Sequence, residues 1–410
     1  MTDTTWTPTR DAALRRLATF APRTGGDYAR LRNFDFGPGR HECVSALSPF
    51  IRHRLIAETE VLRAALDHHS PARAEKFVQE VFWRAYFKGW LEGRPEVWVR
   101  YRNDLGHSLD NLDRDRGLRA RYDLAVSGQT GIDCFDFWAG ELVETGWLHN
   151  HARMWFASIW IFTLRLPWVL GADFFLRHLV DGDAASNTLS WRWVGGLHTK
   201  GKTYLARASN IARYTEGRFN PVGLAPDAPP LMEAELPPPR PAPVALPLAL
   251  PDRYGLIITE EDGLAESLAL PHKPAAVLRL APVPRGPLAT GQCAEDFATG
   301  AVTDAMARAA DHFGLPGEGA TDGSVQSLQE QADRLGLNGF ALARPAIGPV
   351  SDLLAPAMTA LPEAGLTINL ILRPYDALTW PHAQKGFFAL KKRIPTFLEA
   401  LDLTDQPRLI

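Results

Sequence analysis

Hydrophobic side chains in the first half of the chain recur with the spacing of amphipathic helices. Within residues 71–91, Phe77, Val81 and Ala85 share one helical stripe, and Pro71 suits the first turn of a helix. Three further segments have the same periodicity: 136–145, 151–166 and 172–180. Because this half contains no alternating run of strand length, we predict that it is helical throughout.

The second half has a different pattern, in which short β-like runs alternate with helical ones. The β-like runs are 254–259, 275–281, 339–344 and 366–373. The helical patterns are 298–313, 324–336, 350–361 and 384–401. Strands that alternate with helices are typical of a doubly wound parallel sheet. We therefore predict a Rossmann-like α/β domain here.

A proline-rich segment separates the two halves. Residues 226–251 contain ten prolines in twenty-six positions, which excludes a helix or a central strand and favours a semi-rigid polyproline II spacer. We predict an all-α domain over 1–225, a linker over 226–251 and an α/β domain over 252–410.

Composition narrows the class of protein. The 410 residues, 46% of them hydrophobic, are enough for two or three domains with their own cores. No apolar run has the roughly 18 residues of a membrane span, and the N-terminus lacks the apolar core of a secretory signal. The three cysteines are too few for a disulfide framework or a four-cysteine metal site. We expect a cytoplasmic protein without a metal cluster.

Net positive charge and most of the tryptophans are both concentrated in the first half of the chain. Residues 1–240 contain 31 Lys/Arg and 28 Asp/Glu, whereas 241–410 contain 13 and 19. If either half meets an anionic polymer, the charge favours the first. Most of the 12 tryptophans also precede residue 200, and burying an indole is costly unless its N–H and its face are used.

Three segments combine polar and aromatic residues in ways that a plain core does not require. Ser48-Pro49 is typical of a helix start. The free backbone amides at such a start can bind a phosphate; the alternative is that Ser48 is an ordinary N-terminal cap. Glu80 and Trp83 share a helical face that offers a carboxylate beside an indole plane, and Arg84 lies one turn after Glu80. The alternative interpretation is an amphipathic helix that carries a surface ion pair. The third and richest segment comprises GQTG (128–131), Asp136, TGWLHNHARM (145–154) and LVDGDAASNTLSWRW (179–193).

The long motifs of the third segment resemble the flavin-binding signature of the DNA photolyase/cryptochrome family. SALSP (45–49), EVFWRAY (80–86) and GQTG resemble that family's TSxLSP phosphate segment, ELxWREF helix and GxTG turn. The similarity runs from about Tyr28 to Pro221. It implies an all-α domain that cradles a U-shaped FAD.

The resemblance also implies a role for individual residues toward this cofactor. The residues implied to bind FAD are Tyr28, Ser45, Leu47 and Ser48 at the phosphates, Arg84, Trp147, Asn150, Phe175 and Asp183 around the pocket, the charge pair Arg153–Asp181 beside the isoalloxazine, and Asn187 facing flavin N5. Asparagine at this last position is the choice of the photolyases. Val44, Ala46 and Thr163 depart from the family's usual residues at their positions.

For the reaction, the resemblance implies repair of cyclobutane pyrimidine dimers in UV-damaged DNA. Trp83 and Trp193 match the two walls that sandwich a flipped dimer, and Glu80 matches the carboxylate at its edge. Asn150 and Met154 match the cyclobutane-dimer enzymes. Trp191 and Trp168 match the inner members of the electron-supplying tryptophan chain, whose outer member has four candidates: Trp98, Trp138, Trp155 and Trp160.

The order of the domains departs from the family. Its members carry an α/β antenna domain before the flavin domain, whereas this sequence starts almost directly at the flavin domain. YGLIITEEDGLAES and RPYDALTWPHAQKGFFALKKRIPTF resemble the start and exit of the antenna domain. We therefore expect a swapped order, with 252–405 antenna-like; an unrelated α/β module is the alternative, and no motif identifies a second chromophore. The rivals to repair are a cryptochrome-like light sensor and a remnant that binds no flavin.

Overall fold

The computed structural model describes residues 6–317 and 319–404. Within these ranges, the N-terminal part consists of helices joined by loops. The helices are α1 (Arg10–Phe20), α2 (Gly26–Leu31), α3 (Ser48–Arg52), α4 (Glu58–His68), α5 (Glu75–Glu92), α6 (Glu96–Arg114), α7 (Arg116–Val126), α8 (Asp133–Thr145), α9 (Asn150–Ser158), α10 (Trp168–His178), α11 (Ala184–Val194) and α12 (Ala208–Tyr214). The prediction of a helical first half is confirmed.

Several helices differ from their predicted bounds: α8 begins at Asp133 and not at 136, and α10 spans Trp168–His178 and not 172–180. Helix α5 begins at Glu75 and not at Pro71, because the amides of Arg73 and Ala74 close a turn on the Ser70 carbonyl instead of starting a helix. The pattern over 151–166 is divided, since α9 passes into a π-helical turn at Ile159–Thr163.

The C-terminal part contains a five-stranded sheet with all neighbouring strands parallel. The strands are β1 (Tyr254–Ile258), β2 (Ala276–Leu280), β3 (Ala320–Thr321), β4 (Gly339–Ala343) and β5 (Thr367–Ile371), in the order β3-β2-β1-β4-β5. The α/β prediction is therefore confirmed, although the two-residue β3 was too short for the sequence pattern to indicate it.

Helices cover both faces of this sheet, so its central strand is buried along its whole length. The helices of this part are α13 (Gln292–Phe313), α14 (Val325–Leu335), α15 (Pro349–Glu363), α16 (Pro374–Thr379), α17 (Phe387–Lys391) and α18 (Ile394–Ala400). The single helix predicted over 384–401 is thus two short ones, because Lys392 and Arg393 form a turn between them.

The last three helices pack against the helical domain and not against the sheet. Tyr375, Phe387, Leu390 and Phe397 are buried in the same hydrophobic core as the side chains of α4 and α5. Two separate clusters of buried side chains lie on the faces of the sheet. The C-terminal segment therefore extends the core of the N-terminal domain.

The proline-rich segment has no helix or strand, as its composition predicts. It is nevertheless held to the surface of the helical domain and does not hang free as a spacer. Arg100 donates to the carbonyls of Ala234 and Glu235 at 2.7 and 2.9 Å. Buried Arg192 pairs with Glu233, with a 2.7 Å bond from Nη1. This segment is therefore bound along the surface of the helical domain.

A buried cluster of ion pairs joins the two domains where β1 ends. Arg54 lies 3.1 Å from Asp262 and 3.0 Å from Asp376, and Arg373 also pairs with Asp262 at 2.5 Å. All four side chains are at most 10% exposed. The φ angle of Arg54 is 44°, in the left-handed region that favours glycine. The placement of this guanidinium therefore requires a strained backbone.

We expect Arg54→Ala to destabilise the protein by about 3–5 kcal/mol, because it leaves Asp262 and Asp376 buried with fewer partners. The measurement is the urea midpoint of unfolding. Arg15→Ala is the control, since it removes an exposed ion pair with Asp11 and should change stability by less than about 1 kcal/mol. Equal midpoints for wild type and Arg54→Ala would show that this cluster does not hold the domains.

The pH dependence follows from Asp262. Burial works to raise the pKa of its carboxyl, but Arg373 and Arg54 outweigh burial and lower the pKa from 3.8 to about 2. The stabilisation of the folded protein by ionised Asp262 is therefore complete above about pH 4 and is lost as the pH falls toward about 2. Asp262→Asn should be less stable than wild type at neutral pH, and chemical denaturation should show the two curves converging across that window.

Candidate functional site

The polar residues predicted to surround a cofactor meet at the loop between α10 and α11. Asp183 caps α11, its Oδ1 accepting a 2.8 Å hydrogen bond from the Ser186 amide. Asp181 lies two residues earlier, and the carbonyl of Gly182 between them accepts from buried Arg52 at 2.7 Å. The loop therefore presents two carboxylates on a backbone fixed by a cap and by a guanidinium of α3.

Each carboxylate of the loop has its own cation. Arg153 on α9 lies 2.9 Å from Asp181 and also donates to the Leu148 carbonyl. Asp183 pairs instead with Arg84 at 3.3 Å and with Lys88 at 3.8 Å, both on α5. Burial works to raise the pKa of Asp183, but these cations and Arg52 lower it well below its ordinary value. Asp183 therefore stays ionised.

Apolar and amide groups complete this side of the site. Phe175 is buried edge-on to Trp191, with the ring centroids 5.2 Å apart. Asn187, one turn into α11, donates to the Ala172 carbonyl at 2.7 Å. Gly171 leaves no room for a Cβ against Trp191, which explains how α10 and α11 approach so closely. The structure thus brings together six of the predicted residues, Arg84, Arg153, Phe175, Asp181, Asp183 and Asn187.

The segment predicted to bind phosphates lies at the start of α3, the helix whose Arg52 reaches the loop. Ser48 is the first helical residue, is exposed and makes no side-chain cap, so the expectation of a serine cap is wrong. Leu47 is buried, and the Ser45 carbonyl accepts from Arg16 at 2.9 Å. Ser45 Oγ accepts from the Leu47 amide at 3.4 Å, which holds the turn before the helix.

Four other predicted residues lie on the helices and loops nearby. Trp147 is buried beside His41, at 4.4 Å between ring centroids. Tyr28 packs edge-on to Phe77, and burial raises the pKa of its hydroxyl. Asn150 is the exposed first residue of α9, and Met154 is half-buried one turn later.

The residues predicted to hold the substrate lie on the outer face of α5 and at the end of α11. Glu80 forms an ion pair with Arg32, so an ion pair of Glu80 is present, as the alternative interpretation has it, but with a residue outside α5. Trp83 is half-buried and stacks on Phe387 of α17, with the centroids 3.7 Å apart and the planes 11° from parallel. Trp193 stacks on Tyr204 at 5.6 Å.

Two lines of aromatic rings lead away from this region. Trp191 lies edge-on to Trp160 at 6.1 Å, and Trp160 lies at the same distance from Tyr122. Trp168 contacts Tyr101 at 5.9 Å, which in turn stacks on Trp98 at 5.1 Å. Of the four candidates for the outer tryptophan, Trp160 and Trp98 therefore lie on these lines, whereas Trp138 and Trp155 stack on each other.

Sequence reasoning missed three groups at the site. Lys88 shares the helical stripe of Arg84, so its spacing could have placed it beside Asp183. Arg52 and Phe387 gave no such signal, because Arg52 contacts a loop 130 residues away and Phe387 reaches Trp83 across about 300 residues. The roles assigned to individual residues stay predictions.

Two other features are absent from the described residues. Among residues 6–317 and 319–404, no group of three or more His, Cys, Asp or Glu side chains is arranged to hold a metal ion. None of the helices in the described ranges combines enough length with enough apolar sequence to cross a bilayer.

Comparisons with known proteins match the helical region. Residues 77–223 match the family model described as the FAD binding domain of DNA photolyase. The deoxyribodipyrimidine photo-lyase of Synechococcus sp. is 32% identical over 193 residues, which are 45% of this chain and 38% of that protein. That of Streptomyces griseus is 35% identical over 159 residues, 38% of this chain and 33% of that protein. The chain thus spans well under half the length of these relatives.

A solved structure matches over a similar share. The crystal structure of a bacterial class III photolyase from Agrobacterium tumefaciens aligns with a TM-score of 0.44 and 27% identity, over 52% of this chain and 44% of that one.

The residues around the loop fit the FAD of the matching family model. Asp181 Oδ1 is buried and has no hydrogen-bond partner within the part of the chain that the structure describes. Arg153, on the other oxygen, is 23% exposed. A flavin ring carries N–H and C=O groups along one edge, and these complement an unpartnered carboxylate oxygen and an accessible guanidinium.

We expect Arg153→Gln to lower the amount of FAD that copurifies with the protein several-fold, because the Asp181 carboxylate loses its cation at the cofactor site. The measurement is flavin absorbance per mole of protein, with circular dichroism to confirm folding. Arg207→Gln, which removes an exposed cation, is the control and should keep its FAD. Full FAD content in folded Arg153→Gln would exclude this arginine from the cofactor site.

Proposed function

We propose that this chain, whose helical domain belongs to the DNA photolyase and cryptochrome family, splits cyclobutane pyrimidine dimers in UV-damaged DNA with light. One observation carries the proposal. On helix α5, Glu80 and Trp83 lie toward the surface. The next residue, Arg84, pairs with Asp183 in the cofactor loop. A base held at Trp83 is therefore within about one helix diameter, ~10 Å, of the cofactor site.

FAD, when bound in its reduced form and excited by light, supplies the electron that opens the dimer. The chain supplies binding and orientation. Trp83 is 3.7 Å from Phe387 on one face, so its orientation is fixed before a base arrives, which lowers the entropy cost of binding. Glu80 is 35% exposed and can accept from the N–H of a pyrimidine edge while Arg32 keeps it in place.

Buried aromatic rings suit electron supply to the same loop. Trp191 is 2% exposed, and its Nε1 has no hydrogen-bond partner within the described ranges. Its edge-on neighbour Trp160 leads to Tyr122. We assign Trp191 the inner position of an electron relay, with Trp160 as its next member in addition to the predicted Trp168.

A light sensor of the cryptochrome type is the second candidate. The observation in its favour is that Phe387 covers one face of Trp83, the residue assigned to the dimer. If that face is the one a dimer needs, the site is closed to substrate and the cofactor serves signalling instead. The two functions share the loop, the Arg153–Asp181 pair and the tryptophans, so only a repair assay separates them.

We expect reduced wild-type protein to remove dimers from a dimer-containing oligonucleotide under blue light and not in darkness. Trp83→Ala should lower the rate at least roughly ten-fold while FAD stays bound, because it removes a stacking surface worth about 1–3 kcal/mol per base. Phe137→Ala, a surface aromatic away from the site, is the control. FAD-loaded wild type that removes no dimers in light would favour the sensor.

A further inference from the structure

A cluster of positive charge interrupts the acidic C-terminal half. Residues 377–398 contain four Lys/Arg and no Asp or Glu, within a half that holds 13 Lys/Arg and 19 Asp/Glu in total. The four cations are Lys385, Lys391, Lys392 and Arg393. We call residues 385–393 the C-terminal basic segment.

This segment is anchored beside Trp83. Phe387 is 4% exposed and stacks on that indole, and Leu390 is fully buried in the core of the helical domain. Phe388 lies between them in sequence and is 75% exposed. This five-residue helix therefore buries two apolar side chains and leaves one aromatic ring accessible to a partner.

Three of the four cations are free to meet a partner. Lys391 pairs with Glu75 at 3.0 Å. Lys385, Lys392 and Arg393 are exposed and have no ion pair within residues 6–317 and 319–404. The basic segment therefore has at least three unpaired positive charges around Phe388.

A second basic stretch flanks α5 on the same side. His198 is half-buried and packs edge-on to Tyr86 and Trp90 of that helix, and Tyr86 also contacts Phe387 at 5.8 Å. The chain then continues from His198 to the exposed Lys200 and Lys202. Cations from two distant parts of the sequence thus adjoin residues that both contact Tyr86, on the helix that carries Trp83.

We propose that the C-terminal basic segment is part of the DNA-contact surface. Lys385, Lys392 and Arg393 neutralise phosphates of the strand that flanks a base held at Trp83, and Phe388 stacks on a neighbouring base. Unpaired cations beside an exposed aromatic ring are the combination that tracks a nucleic-acid backbone and its bases. The location of the base at Trp83 rests on the proposed function.

The test is DNA binding in darkness by full-length, FAD-containing protein. The triple variant Lys385→Gln/Lys392→Gln/Arg393→Gln is compared with wild type by fluorescence anisotropy on matched oligonucleotides with and without a dimer, across a series of salt concentrations. Losing three phosphate contacts should flatten the slope of log affinity against log salt by about 2–3. Affinity at low salt should fall at least roughly ten-fold for both oligonucleotides.

Two variants serve as comparisons. Lys273→Gln/Arg279→Gln/Arg334→Gln removes the same charge from exposed positions of the α/β domain and should bind as wild type does. Phe388→Ala should weaken binding several-fold without changing the salt slope, because it removes a stacking contact and no charge.

The outcomes separate this proposal from the repair function. If the basic-segment triple variant keeps wild-type affinity and slope, or if the control triple variant loses as much, the surface is refuted, whether or not dimers are repaired. If the wild type repairs nothing but the basic-segment variant alone loses DNA affinity, the surface stands and the repair proposal fails. Wild-type protein that binds neither oligonucleotide would overturn both.

Discussion

The arrangement of the whole molecule depends on a continuous line of buried ion pairs. It starts at Asp183 in the loop between α10 and α11, passes through Arg84 to Glu58, and continues through Arg54 to Asp262 and Asp376 of the C-terminal part. Each cation contacts carboxylates on two sides. Removing a member would leave its buried neighbours with fewer partners, so the geometry of the loop and the docking of the α/β domain constrain each other.

Buried ion pairs of this kind add little net stability, because desolvation offsets most of their attraction. Their effect is to select one packing, since an apolar interface would tolerate small shifts whereas opposed charges do not. The positive φ of Arg54 supports this interpretation. A strained backbone persists only where the surrounding structure requires it, and here it sets the guanidinium between two domains. The C-terminal helices, whose apolar side chains enter the core of the helical domain, support the same docked arrangement.

Much of the fold and part of the site could be predicted from sequence. Helical periodicity located α5, α8, α9 and α10, and the β-like runs located four of five strands, because both signals are local. The motif around Asp181 and Asp183 indicated the cofactor loop, since the carboxylates, the cap and Asn187 lie within seven residues. The resemblance to the family also implied the Arg153–Asp181 pair. The pairing of Asp183 with Arg84 and Lys88 was beyond the sequence, because these cations lie on α5, about 100 residues earlier in the chain.

The sequence by itself determined the order of elements and the polar residues of the loop between α10 and α11, because periodicity and motif spacing are carried by neighbouring residues. Only the tertiary structure decided what lies against Trp83. Phe387 is about 300 positions away, and whether it meets that indole depends on how the whole α/β domain docks. The same holds for Arg52 beside Gly182 and for the basic segment beside α5. Contacts between distant segments are set by packing and buried charge, which leave no local trace in the chain.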